Sequence, residues 1–274
     1  MRIDSHQHFW KFDPVRDAWI DDSMKEIARD FLPKDLEPLL SANKIDGCVA
    51  VQADQSEIET EFLLDLARKN PIIKGVVGWV DLCADNLNQR LSVYSKNPLL
   101  KGVRHIVQAE KEGFMLKDSF LRGIDQLKNF DLTYDILIYP HQLEEAIGLV
   151  EKNPEQPFVV DHLAKPYIKD KKINEWAHHI KKLGTNTNVY CKLSGMLTES
   201  DWNHWKASDF DNYLKVVIEA FGSDRLMFGS DWPVCLLAGS YQHSLRIVED
   251  FIGKLSIDDQ NKIMGENAIN FYNL

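Results

Sequence analysis

Two histidines one residue apart, His6 and His8, stand near the start of the sequence, in a segment (residues 2–9) typical of a β-strand. Side chains alternate between the two faces of a strand, so Asp4, His6 and His8 are predicted to point in one direction. Two imidazoles about 7 Å apart on one strand face can bind a single metal ion, or one substrate carbonyl and its water. The pair is therefore the first candidate for a catalytic or metal site.

A carboxylate, Asp231, ends an apolar segment near the other end of the sequence. An ionised carboxylate within hydrogen-bond reach of water can deprotonate that water as it attacks a carbonyl group. The alternative is structural, because an aspartate before Trp-Pro can cap the N-terminus of a helix. His162 has a similar pair of interpretations, as a catalytic group or as a hydrogen-bonded core histidine.

The composition fits one large globular unit. The 274 residues are 44% hydrophobic, and no linker, low-complexity tract or repeat divides them, so we expect one domain over residues 1–274. A formal net charge of -10 argues against nucleic acid as a partner. The sequence shows no signal-peptide core and no apolar run long enough to cross a membrane, which predicts a soluble, cytoplasmic protein without membrane contact. The cysteines, with no C-x-x-C spacing, are expected to be free thiols: Cys48, Cys83, Cys191 and Cys235.

Eight short apolar segments, rich in β-branched residues, predict eight strands. They span residues 2–9, 46–53, 73–80, 101–108, 133–140, 157–164, 188–195 and 225–231. Helical patterns lie between most of them, such as Ile58, Phe62 and Leu66 at i, i+4 and i+8. Strands that alternate with helices in units of about 30 residues predict a (β/α)8 TIM barrel. An open doubly wound sheet is the alternative, but the first βα connection has no G-x-G-x-x-G.

In such a barrel the reactive side chains gather at the carboxyl ends of the strands. Polar and aromatic residues recur at that position: His6, His8, Trp79, Arg104, Tyr139, His162, Lys192 and Asp231. Asp161 and His105 adjoin two of these residues, and strand alternation predicts that they face the opposite side, in structural roles. The sequence therefore predicts one site built from residues that are far apart along the chain.

Five motifs resemble the amidohydrolase superfamily, and in particular its "amidohydrolase 2" branch. In order, they are Asp4-Ser5-His6-Gln7-His8-Phe9-Trp10, Gly102-Val103-Arg104-His105, Asp161-His162-Leu163-Ala164-Lys165-Pro166, Cys191-Lys192-Leu193-Ser194-Gly195 and Phe228-Gly229-Ser230-Asp231-Trp232-Pro233. The branch includes lactonases for sugar lactones and for 2-pyrone-4,6-dicarboxylate. The resemblance runs from residue 2 to about residue 270, and it implies a distorted barrel that hydrolyses a ring ester.

The resemblance also implies roles for individual residues. Asp231 matches the base that deprotonates the attacking water, and His6, His8 and His162 match the other catalytic positions. One divalent metal, such as zinc, would be held by His6, His8 and Asp231, since strand four has no lysine or glutamate suited to bridging two metals. If no metal is bound, the three histidines would stabilise the oxyanion by hydrogen bonds.

Arg104 and Lys192 are candidate substrate clamps. A charged side chain inside a barrel mouth is costly unless it meets an anion or a polar ligand. The alternative for both is an ion pair with a carboxylate, and the sequence offers Asp4, Asp81 and Asp231.

Aromatic residues lie beside the predicted strand ends and are candidates for contact with a sugar-like ring: Trp10, Trp79, Tyr139 and Trp232. Their alternative role is in the core, where aromatic residues are common. We expect one of the three tryptophans to stack on the ring.

The motifs predict hydrolysis of a neutral aldonolactone, such as L-fucono- or L-rhamnonolactone, to its open sugar acid. Two alternatives stay open: an acidic lactone whose carboxylates Arg104 and Lys192 would bind, and a barrel that binds a sugar acid without turnover. Decarboxylase chemistry is a weaker alternative. Further arginines at the mouth would favour an acidic lactone, and only Arg16 and Arg122 are obvious loop candidates. In each case the expected partner is a small molecule.

Overall fold

The eight predicted strands are present, and they pair in parallel in the order of the sequence. The structure, a computed structural model, describes all 274 residues. The strands are β1 (Ile3–Gln7), β2 (Gly47–Val51), β3 (Ile73–Gly78), β4 (Leu100–Ile106), β5 (Thr133–Leu137), β6 (Phe158–Val160), β7 (Val189–Leu193) and β8 (Leu226–Phe228). A parallel bridge between Gln7 and Trp232 brings the end of β8 back to β1. The sheet is thus a nearly closed barrel.

Helices connect the strands and surround the sheet. They are α1 (Pro33–Ala42), α2 (Glu57–Lys69), α3 (Leu87–Tyr94), α4 (Asp118–Leu127), α5 (Leu143–Lys152), α6 (Asn174–Gly184), α7 (Asp211–Phe221), α8 (Tyr241–Ile252), α9 (Ile257–Asn261) and α10 (Asn267–Tyr272). This alternation confirms the predicted (β/α)8 TIM barrel. No helix is both long and apolar enough to cross a membrane.

Helix α2 is present, but its buried face differs from the predicted one. Leu63 and Leu64 are buried, whereas Ile58 is exposed and Phe62 and Leu66 are only half-buried. Ile58 is the second residue of the helix and is exposed in the first turn after the N-cap Ser56. The buried face of α2 is therefore shifted by one residue toward the C-terminus relative to the face that the apolar spacing predicted.

Strand β6 ends earlier than predicted. The sequence extended it to residue 164, but pairing stops at Val160, and the backbone of residues 162–165 is left-handed, with φ between +48° and +56°. Left-handed residues leave the plane of the sheet, so side chains no longer alternate between its faces. The expectation that Asp161 and His162 face opposite sides is therefore wrong, since both side chains reach the same site.

A β-bulge in β1 changes the direction of a side chain near the first histidine. Asp4 pairs with Cys48 and Gln7 with Ala50, so two residues of β1 stand opposite one residue of β2. The extra residue reverses the alternation once. His6 and His8 point into the barrel, whereas Asp4 points outward and accepts the backbone N–H of Ser230. The predicted common direction of Asp4 and the two histidines is therefore wrong.

The lower end of the barrel is filled by an apolar cluster to which several strands and helix α10 contribute. Eight buried residues form it: Ile3, Val49, Val51, Val77, Val159, Met227, Ala268 and Tyr272. Branched side chains from several strands fill a barrel interior in layers, which makes it a packed core and not a pore. Polar side chains lie above this layer, so the site can be entered only from the carboxyl ends of the strands.

Candidate active site

A cavity of about 580 Å³ opens at the carboxyl ends of the strands. Its lining includes His8 from the end of β1, Arg104 from β4, His162 from the turn after β6 and Asp231 from the segment after β8. Four βα units therefore contribute polar side chains to one concave space. A concave, largely apolar space with a few convergent polar groups is the usual form of a small-molecule site.

Three ligand atoms converge at the base of this cavity. The Nε2 atoms of His6 and His8 are 3.2 Å apart. The Oδ1 atom of Asp231 lies 3.4 Å from Nε2 of His8 and 4.0 Å from Nε2 of His6. The Nε2 atom of His162 approaches the same oxygen to 3.9 Å. The four residues predicted to be catalytic are thus brought together.

The hydrogen bonds of His8 fix the position of its proton. Its Nδ1 atom lies 2.8 Å from the carbonyl oxygen of Val51. A carbonyl oxygen accepts hydrogen bonds and cannot donate them, so Nδ1 carries the proton. The lone pair is therefore on Nε2, which faces Asp231.

Asp161 fixes the position of the proton on His6 in the same way. Its Oδ1 atom lies 3.1 Å from Nδ1 of His6, and a carboxylate oxygen can only accept. Nζ of Lys192 is also close to Nδ1, at 3.2 Å, but it donates to the carboxylates of Asp135 and Asp161 at 2.5 and 3.0 Å. The lone pair of His6 is therefore on Nε2 as well.

This arrangement fits a divalent metal ion. Two imidazole lone pairs and one carboxylate oxygen, all buried, lie within 4.8 Å of one another. Three acceptors at such distances repel one another unless a cation or a donor lies between them. Two histidine nitrogens and one carboxylate oxygen are a donor set that zinc prefers, with a fourth position left for water or substrate. His6, His8 and Asp231 are thus suited to hold one zinc ion.

A left-handed turn after β6 positions His162. Its Nδ1 atom lies 2.9 Å from Oγ of Ser194 in the neighbouring β7 unit. Gly195, with φ +64°, packs directly against the imidazole ring, and a Cβ atom there would lie 2.5 Å from Nδ1. The sequence Ser194-Gly195 thus provides both a hydrogen-bond partner and the space for this histidine.

The pKa values of the site residues are strongly shifted. Burial lowers the pKa of His6 and of His162 well below the ordinary value for histidine, although Asp161 and Asp231 act in the opposite direction. Burial would raise the pKa of Asp231, but His162, the largest opposing cause, helps to lower it below its ordinary value. At neutral pH His6 and His162 are therefore neutral imidazoles beside an ionised carboxylate.

Lys192 lies below the cavity and does not line it. Its side chain is fully buried, and Nζ is 2.5 Å from Asp135 and 3.0 Å from Asp161. Arg104 reaches the cavity wall, and its Nη1 atom is 3.0 Å from the other oxygen of Asp161. The ion-pair alternative is thus present for both cations, with Asp135 and Asp161 in place of the carboxylates suggested by the sequence. The position of Lys192 gives it no direct contact with a ligand in the cavity.

The aromatic candidates occupy different places. Trp10 and Tyr139 line the cavity. Trp79 lies outside the lining, with its indole 3.4 Å from His105, and Trp232 is buried against Phe31 with ring centroids 5.2 Å apart. Trp79 and Trp232 therefore pack within the protein and do not face the cavity.

Several lining residues were not identified as site residues from the sequence. Glu199 and Trp202 come from the long connection between β7 and α7, where no local pattern marks a functional position. Trp19 comes from the equally long connection after β1. Lys165 stands three residues after His162, inside a motif that carried the family resemblance, and that motif was the available signal.

Comparison with known proteins gives consistent matches over the whole chain. A family model described as amidohydrolase matches residues 3–274. An L-fucono-1,5-lactonase from Burkholderia multivorans is 38% identical over 286 residues, which is 100% of this chain and 96% of the relative. An L-fucono-1,5-lactonase from Burkholderia ambifaria is 34% identical over 278 residues, again 100% of this chain and 96% of the relative.

A crystal structure of an amidohydrolase from Burkholderia multivorans, with bound zinc, is similar throughout. It is 38% identical in sequence and superposes with a TM-score of 0.97, over 100% of this chain and 99% of that chain. The relative thus shows that a barrel of this shape can hold zinc.

Proposed function

This chain belongs to the amidohydrolase family, and we propose that it opens the ester ring of a sugar lactone, of the L-fucono-1,5-lactone type, to give the sugar acid. The observation that carries the proposal is the convergence of one carboxylate and three histidines at the base of a single cavity, which His8, His162 and Asp231 line and beneath which His6 is buried. Oδ1 of Asp231 lies 3.4 Å from His8, 4.0 Å from His6 and 3.9 Å from His162. Two full-length relatives named as L-fucono-1,5-lactonases support this choice of substrate class.

Asp231 is the general base in the proposed reaction. Its lowered pKa keeps the carboxylate ionised at neutral pH, and it faces the cavity. It takes a proton from water as the water oxygen attacks the lactone carbonyl carbon. When the ring C–O bond breaks, the proton passes to the leaving alkoxide oxygen, and the new carboxylic acid ionises and releases a proton to solvent.

His162 stabilises the negative charge that develops on the carbonyl oxygen. It is neutral because burial lowers its pKa, so one ring nitrogen carries a proton. The Ser194 hydroxyl donates to Nδ1, which leaves the N–H on Nε2, directed toward Asp231 and the cavity. Arg104 adds positive charge from the cavity wall. Donors fixed in a buried site stabilise an oxyanion more strongly than water does.

One zinc ion would be held by Nε2 of His6, Nε2 of His8 and Asp231. When bound, zinc would lower the pKa of the attacking water and polarise the carbonyl group. Asp161 and Val51 keep both imidazoles in the tautomer that presents a lone pair to the ion.

The charges in the cavity favour a neutral lactone over an acidic one. The guanidinium of Arg104 is already paired with Asp161. Arg16 pairs with its neighbour Asp17, and Arg122 is exposed on the outer helix α4. The one arginine in the cavity lining therefore already has a carboxylate partner, which leaves little net positive charge for the carboxylates of a pyrone dicarboxylate.

Acid release tests the proposal directly. Purified protein is mixed with L-fucono-1,5-lactone, L-rhamnonolactone and 2-pyrone-4,6-dicarboxylate, and proton release is followed with a pH indicator. We expect turnover of sugar lactones, a loss of about 10²–10⁴-fold in kcat for Asp231→Asn, and wild-type rates for the exposed control Asp250→Asn. Folded protein that opens none of these lactones, or full activity in Asp231→Asn, would contradict the proposal.

A further inference from the structure

The left-handed turn after β6 is longer than the placement of His162 alone requires. Four consecutive residues without glycine have positive φ: His162 (+54°), Leu163 (+54°), Ala164 (+56°) and Lys165 (+48°). Each such residue costs about 1–2 kcal/mol relative to ordinary backbone. Strain of this kind persists where the surrounding structure enforces it, and it is concentrated at functional sites.

The middle of this turn is anchored in the core, and its two ends face the cavity. Leu163 and Ala164 are fully buried, and the indole N–H of Trp176 donates to the carbonyl of Leu163 at 2.7 Å. His162 and Lys165, the first and last residues of the turn, both line the cavity. The strained backbone thus presents an ammonium group on the same wall as a catalytic histidine.

Lys165 is paired with a single carboxylate from another loop. Its Nζ atom lies 3.7 Å from Oε1 of Glu199, which is too long for a hydrogen bond. Both side chains are more than four-fifths buried, and neither makes a hydrogen bond with another protein group. The backbone N–H of Lys169 donates to the carbonyl of Glu199 at 3.0 Å, so the two loops are tied together beside the pair.

An ion pair without hydrogen bonds retains its full capacity to bind a polar ligand. The ammonium group can donate three hydrogen bonds and the carboxylate can only accept them. A vicinal diol of a sugar ring needs this combination, since each hydroxyl group both donates and accepts. A substrate carboxylate would gain from Lys165 but would be repelled by Glu199 at similar range.

We propose that Lys165 and Glu199 form a specificity-determining pair that binds ring hydroxyl groups of the lactone and disfavours acidic lactones. This inference rests on the proposed lactonase function and identifies the residues that select a neutral, polyhydroxylated ring. Tyr139 supports the pair, with its ring centroid 5.5 Å from Nζ of Lys165. Because the pair recognises hydroxyl groups, it acts on substrate binding and not on the breaking of the ester.

Two lactones with the same ester and different hydroxyl content test the pair. L-Fucono-1,5-lactone carries ring hydroxyl groups, and δ-valerolactone is the unsubstituted six-membered ring. In Glu199→Gln and in Lys165→Met we expect KM for the sugar lactone to rise about 10-fold or more, because a hydrogen bond to a charged group contributes about 1.5–3 kcal/mol. The kcat value should change less, and the loss in kcat/KM should be at least about fivefold smaller for δ-valerolactone.

The double variant and a matched surface pair complete the experiment. The losses of the two single variants should not add in the double variant, since each leaves the other charge unpaired. Lys181→Met and Glu219→Gln make the same changes in an exposed ion pair of 2.9 Å and should leave both activities unchanged. If Lys165→Met does not fold, the nearly isosteric Glu199→Gln carries the test alone.

The results separate this inference from the function on which it rests. Wild-type turnover of the sugar lactone, with an unchanged KM in Glu199→Gln or equal losses on both lactones, would overturn the role of the pair and leave the lactonase in place. A wild-type protein that opens neither lactone would overturn both.

Discussion

The carboxylate of Asp161 is bonded to the imidazole of His6 and to two cations at once, in a region without solvent. Oδ1 lies 3.1 Å from Nδ1 of His6 and 3.0 Å from Nζ of Lys192, and Oδ2 lies 3.0 Å from Nη1 of Arg104. Burial would raise the pKa of Asp161, but Lys192 and His6 hold it well below its ordinary value. One carboxylate thus sets the tautomer of a proposed metal ligand and balances the charges beneath the cavity.

Replacing this carboxylate by an amide should destabilise the protein. In Asp161→Asn, Lys192 keeps Asp135 as a partner, whereas Arg104 loses the carboxylate with which it pairs, and a buried charge without a partner is costly. We expect the free energy of unfolding in urea to fall by about 3 kcal/mol or more. Asp170→Asn, which removes an exposed carboxylate 3.4 Å from Lys172, should change it by less than about 0.5 kcal/mol. Equal stability of the two variants would show that the buried network is not balanced through Asp161.

Gly195→Ala should impair catalysis because the new methyl group meets the ring of His162. The Cβ atom would lie 2.5 Å from Nδ1, so the imidazole must move away from Ser194 and Asp231. A displacement of about 1 Å can reduce a rate by about 10²-fold, and we expect a loss of that order in kcat for a sugar lactone. Gly222→Ala is the matched control, since its φ of +66° is nearly the same and a Cβ there has no neighbour within 4 Å.

The two glycine variants separate backbone strain from contact with the histidine. Both should lose stability because φ is positive, and Gly195→Ala should lose more because of its contact with His162, measured by thermal unfolding. Only Gly195→Ala should also lose kcat. A similar loss of kcat in Gly222→Ala would mean that strain, and not the position of His162, limits the reaction.

The architecture followed from the sequence because its signal is repeated eight times. Each β-branched segment predicts a strand, and errors of two or three residues at strand ends do not change the order or the parallel pairing. Asp231, His162, Arg104 and His8 were also placed correctly at the carboxyl ends, because that position depends only on which strand each residue follows.

The direction of individual side chains was less predictable, because a backbone irregularity of a single residue can reverse it. The bulge in β1 turned Asp4 outward, and the left-handed turn after β6 brought Asp161 inward beside His6. Neither the bulge nor the four left-handed residues contain a glycine or a proline, and Pro166 follows only after the turn is complete. The partner of Lys165 was equally hidden, because Glu199 lies in a long loop whose path depends on packing against other loops.

The buried carboxyl group of Glu59 should make stability depend on pH. Burial raises its pKa from 4.5 to about 7, with Asp54 and Asp17 acting in the same direction and Arg16 against it. The folded state therefore holds the proton more tightly than the unfolded state between pH 4.5 and about 7. The unfolded state binds fewer protons in that window, so the free energy of unfolding falls as pH rises through it.

Glu59→Gln should remove this part of the pH dependence. At pH 5 the variant and the wild type should be equally stable, since an amide resembles a protonated carboxyl group. At pH 8 the variant should be more stable by about 1–3 kcal/mol, in line with 1.36 kcal/mol per pKa unit. Urea unfolding from pH 5 to pH 8 measures the difference, with the exposed Glu175→Gln as control. A wild-type advantage at pH 8 would show that the ionised carboxylate is stabilised by Arg16 more than it is penalised by burial.

Loss of one proposed ligand should release the metal without unfolding the barrel. In His8→Gln the Nε2 lone pair is lost, while the amide can still donate to the carbonyl of Val51, the present partner of Nδ1. We expect at least about 10–100-fold weaker zinc binding, measured as zinc per chain after dialysis, and a parallel loss of lactone turnover that zinc restores only at high concentration.

The control His204→Gln makes the same change at an exposed residue outside the cavity lining, and it should keep the zinc content and turnover of the wild type. Two kinds of result have different consequences for the mechanism. If zinc and turnover are lost together in His8→Gln and after treatment of the wild type with a chelator, the converging lone pairs of His6 and His8 act as ligands. If turnover persists in wild-type protein that contains no detectable zinc, the same two imidazoles work through hydrogen bonds, and His162 with Arg104 must provide the electrophilic assistance alone.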